Sequence, residues 1–215
     1  MAEILEPPDR RVLRTRELLQ KALWNLLKTK EFEQISVQDI AAEASVNRAT
    51  FYDHYRDKYD LLEALVGARF CDLLAERRVQ FDGSCPGALT ALVLAVCDYL
   101  SEWAVGRSRR EPEPHMESAV IAVVRRIVLE GWRAHRGPST DAGPRDTGIV
   151  RTGDSAAPAV DAPAANRSPE MIAAAASWAI YGAAKEWLQT PDRCSSDEIA
   201  STIVALASPI LFAGQ

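Results

Sequence analysis

Residues 36–58 hold the one stretch of this chain whose side-chain types and spacing combine into a recognisable chemistry. Arg48 carries a guanidinium able to donate two hydrogen bonds to a guanine edge, and the Asn47 amide is able to do the same with an adenine. Tyr52, His54 and Lys58 suit phosphate oxygens, contacts that position a protein on a duplex without reading its sequence. Ser36, Ala49 and Thr50 are counted with them, Thr50 at the margin of the outward face and Ala49 with almost no side chain to hold a helix away. Asp53 shares that face. It could accept from a cytosine amine or bridge to Arg48 or Arg56, and the residues alone leave these alternatives open. Ahead of the stretch, Arg10, Arg11, Arg14 and Arg16 form a basic cluster offset only by Asp9 and Glu17. Outward Arg and Lys are most often only solvated, and two short amphipathic helices with a tight turn occur in many all-α proteins. The weight therefore falls on how the elements space these groups.

Those elements belong to a chain of 215 residues with 26% charged and 47% hydrophobic residues, ordinary for a globular protein. Such a composition excludes a wholly disordered chain, a collagen-like repeat and a disulfide-stapled miniprotein. Twenty-five Lys and Arg against 30 Asp and Glu give a net charge of -5, so attraction to a polyanion must come from a local patch. Cysteines at 71, 85, 97 and 194 form no CxxC, and His54, His115 and His135 are scattered, so no metal is expected. Without a GxSxG, Walker, HExxH or GxGxxG motif, no catalytic residue and no cofactor is expected either. The N-terminal MAEILEPPDRR lacks the pattern of a signal peptide. The richest apolar run, Ala88 to Val96, soon meets Asp98, short of the roughly 18 residues of a membrane helix. The expectation is a reducing cytoplasm, free thiols and no membrane.

Periodicity near 3.6 runs through most of the chain. Residues 1–9, with two prolines, read as a flexible arm. Leu19, Ala22, Leu23 and Leu26 mark a first amphipathic helix ending near Lys28 or Lys30. Ser36 and Asp39 approximate a capping box for a second helix with Val37, Ile40, Ala41 and Ala44 on one face. Asn47 is a good N-cap for a third, whose Phe51 and Tyr55 face inward. Asp57 caps a fourth, with Leu61, Leu62, Leu65 and Val66, that reaches toward Val79 or Phe81. Further helices are expected over 88–105, 115–135 and 171–189, with a last one carrying Ile199, Ile203, Leu206 and Ile210 on one face. Gly137–Pro169, rich in Pro, Gly and Ala, reads as a mobile loop. No period-two pattern persists, so the fold class is all-α. Residues 36–58, two short helices about a break at Ala44-Ser45-Val46, have the architecture of a helix-turn-helix.

The string ISVQDIAAEASVNRATFYDHYRDKYDLLEALV at 35–66 resembles the signature of the TetR-like transcriptional regulators. The likeness rests on Ile40-Ala41, Thr50-Phe51-Tyr52, Tyr55, Lys58 and the pair Leu61-Leu62, and extends from Arg10 to Gly67. Two positions depart from it: Ser45 and Ala49 stand where glycine is usual, so Ser45 is expected either to carry about 1 kcal/mol of turn strain or to use a different turn. The resemblance implies a helix-turn-helix DNA-binding domain over 10–67 and an effector-binding and dimerisation domain over 68–215. It further implies a homodimer through the last two helices on a near-palindromic double-stranded operator, and release by a small effector. For the effector pocket the apolar faces offer Leu92, Val96, Tyr99 and Trp103, then Met116, Val120, Val124 and Trp178, a lining that favours an apolar or aromatic ligand. The alternative is an all-α effector-binding protein that does not bind operator DNA.

Overall fold

Helical periodicity in the sequence becomes eight α-helices in the computed structural model, which describes residues 9–78, 86–106, 114–136 and 168–212. In chain order they are α1 (Arg10–Leu27), α2 (Val37–Glu43), α3 (Arg48–His54), α4 (Lys58–Glu76), α5 (Pro86–Gly106), α6 (Pro114–Arg136), α7 (Pro169–Gln189) and α8 (Ser196–Phe212). A single 3₁₀ turn, Phe32–Gln34, joins α1 to α2, and the described residues include no strand. The arm expected over 1–9 and the loop expected over 137–169 fall almost wholly outside the described residues. Their ends correct both expectations. Asp9 is the N-cap of α1, accepting from the Arg11 amide at 2.9 Å. Ser168 caps α7 with Pro169 in its first turn, where a missing N–H costs nothing.

The first four helices are held by a core of Leu19, Leu23, Phe51, Leu61 and Val66, all fully buried. Each such side chain contributes about 1.5–3 kcal/mol on removal from water. α4 is the shared spine: α1 packs on it from one side, α5 and α6 from others. Gly67 marks the close crossing with α6, since a Cβ there would stand 2.8 Å from the Arg126 guanidinium. Arg126 itself reaches back to Glu63 at 3.1 Å. Beyond α4, α6 packs on α7, α7 on α8, and α5 on both α7 and α8.

α5 is apolar on all sides because it is surrounded. Its stretch Gly87–Ala104 is long and apolar enough to cross a membrane, contrary to the sequence expectation, but 61% of it is buried inside the fold. Leu92, Val93, Val96 and Cys97 are fully buried there, which gives the apolarity a core role. Burial also pushes the Cys97 thiol up to about 12. Cys71, Cys97 and Cys194 are free thiols.

α8 corrects one face. Ala200, Ile203, Ala207 and Leu211 turn inward, while Leu206 is 61% exposed and Ile199 and Ile210 are only partly buried. The expected stripe is therefore split between the core and the surface.

Candidate nucleic-acid interface

The capping box at the start of α2 forms as the sequence implies. Ser36 Oγ accepts from the Asp39 amide at 3.1 Å, and Asp39 accepts from the Ser36 amide at 2.9 Å and from its hydroxyl at 2.6 Å. These bonds, the Ser36 side chain first, bring the Asp39 carboxyl down from 3.8 to about 2. Ser36, expected among the DNA-facing residues, thus spends its hydroxyl on the helix cap.

α2 ends in a left-handed residue. Ser45 has φ 57°, its amide donates to Ala42 at 3.0 Å, and the Val46 amide donates to Ala41 at 2.9 Å. That pair of bonds is a Schellman motif, which reverses the chain within three residues. Val46 then packs on the core. Asn47 Oδ1 accepts from the Ala49 amide at 3.0 Å and starts α3. That bond takes one of the two acceptor positions of Oδ1 and fixes the Asn47 side chain at the start of α3.

α3 is held from beneath by Phe51, fully buried, and by Tyr55, whose hydroxyl accepts from the Gln20 amide of α1 at 3.1 Å. Arg48, Ala49, Tyr52 and Asp53 are left outward and exposed, with Thr50 and His54 at the margins. Arg48 and Tyr52 are coupled: Arg48 Nη2 donates to the Tyr52 hydroxyl at 3.1 Å, and the guanidinium lies 5.5 Å from the ring centroid. Neither of the bridges considered for Asp53 forms, because Arg48 turns to Tyr52 and Arg56 to Asp60. The basic cluster Arg10, Arg11, Arg14 and Arg16 lies exposed along the first half of α1.

Lys58 has a different task from the one expected. Its side chain is only 15% exposed, and Nζ donates to the carbonyls of Phe32, Glu33 and Ile35 at 3.0, 3.3 and 3.1 Å. An ammonium has three donors, and here three carbonyls take them. Nζ also stands 4.6 Å from the Phe32 ring. Lys58 therefore ties α4 to the 3₁₀ turn that sets the start of α2.

The same turn meets α6. His115 Nε2 contacts Glu33 Oε1, and its ring lies 5.6 Å from Phe32 and 5.0 Å from Tyr59. Nothing in the sequence spacing points to His115, whose partners stand far upstream in the chain. Only the fold brings them together.

Of the residues expected to line an effector pocket, Leu92, Val96, Met116, Val120 and Val124 are buried at 3% exposure or less, and Trp178 is 59% exposed. Tyr99 and Trp103 line a half-open cleft of about 370 Å³ between α1, α4 and α5. Gln20, Lys21 and Trp24 line it from α1, and Leu65, Ala68 and Arg69 from α4. The Tyr99 hydroxyl meets Met116 Sδ at 3.1 Å, and burial holds it well above the ordinary phenol range.

Fold and site together define an all-α helix-turn-helix protein, the second short helix presented outward on a four-helix base. Residues 19–65 match the family model of bacterial regulatory proteins, tetR family. Over 59 residues the chain is 48% identical to YxbF, an HTH-type transcriptional regulator of Bacillus subtilis (strain 168), covering 27% of this chain and 16% of that protein. Over 60 residues it is 32% identical to DhaS, the HTH-type dhaKLM operon transcriptional activator of Lactococcus lactis subsp. lactis (strain IL1403), covering 28% of this chain and 32% of that one. A TetR transcriptional regulator from Rhodococcus sp. RHA1 shares the fold over 94% of this chain and 99% of its own, at 13% identity and a TM-score of 0.53. Residues 19–65 are thus a helix-turn-helix segment of the tetR-family type.

Proposed function

We propose that the protein is a sequence-specific DNA-binding transcriptional regulator, a repressor that leaves its operator when a small apolar or aromatic effector binds. Residues 10–67 form the DNA-binding domain in this reading, and residues 68–215 the effector-binding and dimerisation domain. α3 enters the major groove, and a homodimer presents two copies to a near-palindromic site. The observation that carries the reading is the outward face of α3, where Arg48 and Tyr52 stand exposed above the buried Phe51. An Arg so placed supplies base readout, and the Tyr52 hydroxyl and His54 suit the flanking phosphates. The α1 arginines supply the local positive charge that the chain's average lacks.

The test is fluorescence anisotropy with duplexes taken from the DNA flanking the coding sequence. One duplex is expected to bind at least about a thousandfold more tightly than a scrambled one of equal length, the lower end of the specificity ratios of such proteins. Equal affinity for every duplex would reject operator binding and favour an effector-binding protein without DNA readout. The sign of regulation is checked by a reporter behind the bound site. Loss of expression supports repression, and a gain would assign the activator role that the name of the Lactococcus relative carries.

A further inference from the structure

We propose that the cleft between α1, α4 and α5 is a binding site for an organic cation with an aromatic or apolar body. It deepens the effector part of the reading above, giving that effector a place and a charge. At about 370 Å³ the cleft lies within the size range of small-molecule sites. Trp24, Tyr99 and Trp103 give it three aromatic walls, with Leu65 and Ala68 between them. Trp24 is 44% exposed, and the Lys28 ammonium already stands 5.8 Å from its ring, a cation on an accessible π-face.

The charges select the ligand. Glu17, Asp72 and Glu102 face Lys21 and Arg69 around the cleft, three carboxylates against two cations. Arg69 is already committed: it meets Glu102 through Nε at 3.1 Å and Nη2 at 2.5 Å, and Glu76 through Nη1 at 3.2 Å. A phosphate or carboxylate ligand would find that guanidinium taken, and Lys21 as the one remaining lining cation against Glu17 and Asp72. A sugar would find mostly aromatic and apolar walls, with the Gln20 amide donating to Tyr55 and the Tyr99 hydroxyl turned to Met116. A neutral apolar body would strip water from Glu17 and Asp72 and give them nothing in return. Glu17 and Asp72 have no ion pair among the described residues. A cation with an aromatic body satisfies both the walls and the rim.

The place matters for regulation. Gln20 lines the cleft and holds Tyr55, the C-cap of α3, at 3.1 Å. An occupant therefore lies one side chain away from the end of the outward helix, and α1 and α4 cannot shift apart without remodelling the cleft.

The probe is tetraphenylphosphonium, with tetraphenylborate as its anion of the same shape, each titrated against intrinsic tryptophan fluorescence of the full chain without DNA. Tetraphenylphosphonium is expected to quench saturably and to bind at least tenfold more tightly than tetraphenylborate. The double variant Glu17→Gln/Asp72→Asn alters two exposed positions and is expected to weaken the cation about fivefold or more, with Trp24→Leu doing the same. A cation affinity unchanged in both variants, or a preference for the anion, would overturn the site. Because no DNA is present, this result stands apart from the operator assay.

Discussion

Arg48 and Tyr52 lie one turn apart on α3, and their 3.1 Å hydrogen bond with the ring stacking beside it holds the guanidinium outward before any partner arrives. Holding an exposed side chain in this way reduces the rotamer freedom that binding would otherwise remove. Replacing Arg48 by Ala is expected to weaken the preferred duplex by about 1–3 kcal/mol and to relax discrimination at one base pair. Tyr52→Phe keeps the ring under the guanidinium and loses only the hydroxyl, so its cost is expected to be smaller, about 0.5–1.5 kcal/mol. Anisotropy titrations on single-base variants of the duplex measure both, and an Arg48→Ala protein with unaltered preference would remove direct readout from this residue. Lys58 belongs to a different ledger. Its three carbonyl partners make Lys58→Met a stability variant, with an expected loss of about 2 kcal/mol in urea unfolding. The salt slope of DNA binding should stay as it is, since an ammonium whose three donors are held by backbone carbonyls neutralises no phosphate.

At the scale of elements, α2 is seven residues long and depends on its ends. Below about 12–15 residues a helix has little stability of its own. The Asp39 carboxyl titrates near 2 in the folded chain and near 3.8 when free, so the folded state favours its ionised form. The cap's contribution is present above the free value and disappears as pH falls through the folded one. The stability gap between the wild type and Asp39→Ala, read by thermal melts, should therefore close between pH 4 and pH 2 and stay constant above pH 5. Ser45→Gly removes the cost of a left-handed L-residue at φ 57° and is expected to stabilise by about 1 kcal/mol. Both features were legible in the sequence, because caps and turns depend on residue types a few positions apart. The faces of α5, α7 and α8 were not. In α8 the core takes Ala200 and Ala207 alongside Ile203, so choosing the largest apolar residues picked Leu206 and missed the small ones. In α5 apolar residues point every way, so periodicity alone does not separate a pocket wall from core at Leu92 and Val96. Lys58 and His115 were illegible for another reason: their partners come from a turn more than twenty residues away, and only tertiary packing decides whether a cation faces solvent or a carbonyl.

Across the whole molecule, the helices farthest from α3 leave apolar groups in water. On α7, Met171, Ala175, Trp178 and Gly182 fall on one exposed face, Met171 and Trp178 at 62% and 59%. On α8, Thr202, Ala205, Leu206 and Pro209 do the same. An exposed glycine inside a helix costs about 1 kcal/mol relative to alanine, and Gly182 has open space above it. That cost has a use if a second helix lies close against the face. A two-fold axis through α7 and α8 would place Trp178 and Leu206 of one protomer against the same surface of its partner, the self-complementary contact of a homodimer. A stable interface of this kind covers more than about 1,000 Å² in total, so these residues would be its centre and not its whole. The proposed dimer therefore predicts a scattering mass near twice 23.6 kDa for the wild-type chain at micromolar concentration. Trp178→Glu/Leu206→Glu places like charges face to face and should return a mass of 23.6 kDa with the helical circular dichroism retained. The double variant should also lose most of its affinity for a full near-palindrome while keeping its weaker hold on a half-site, because each α3 is unchanged and only their pairing is gone. A double variant that remained a dimer would move the interface off this face, and a wild-type monomer would remove it altogether.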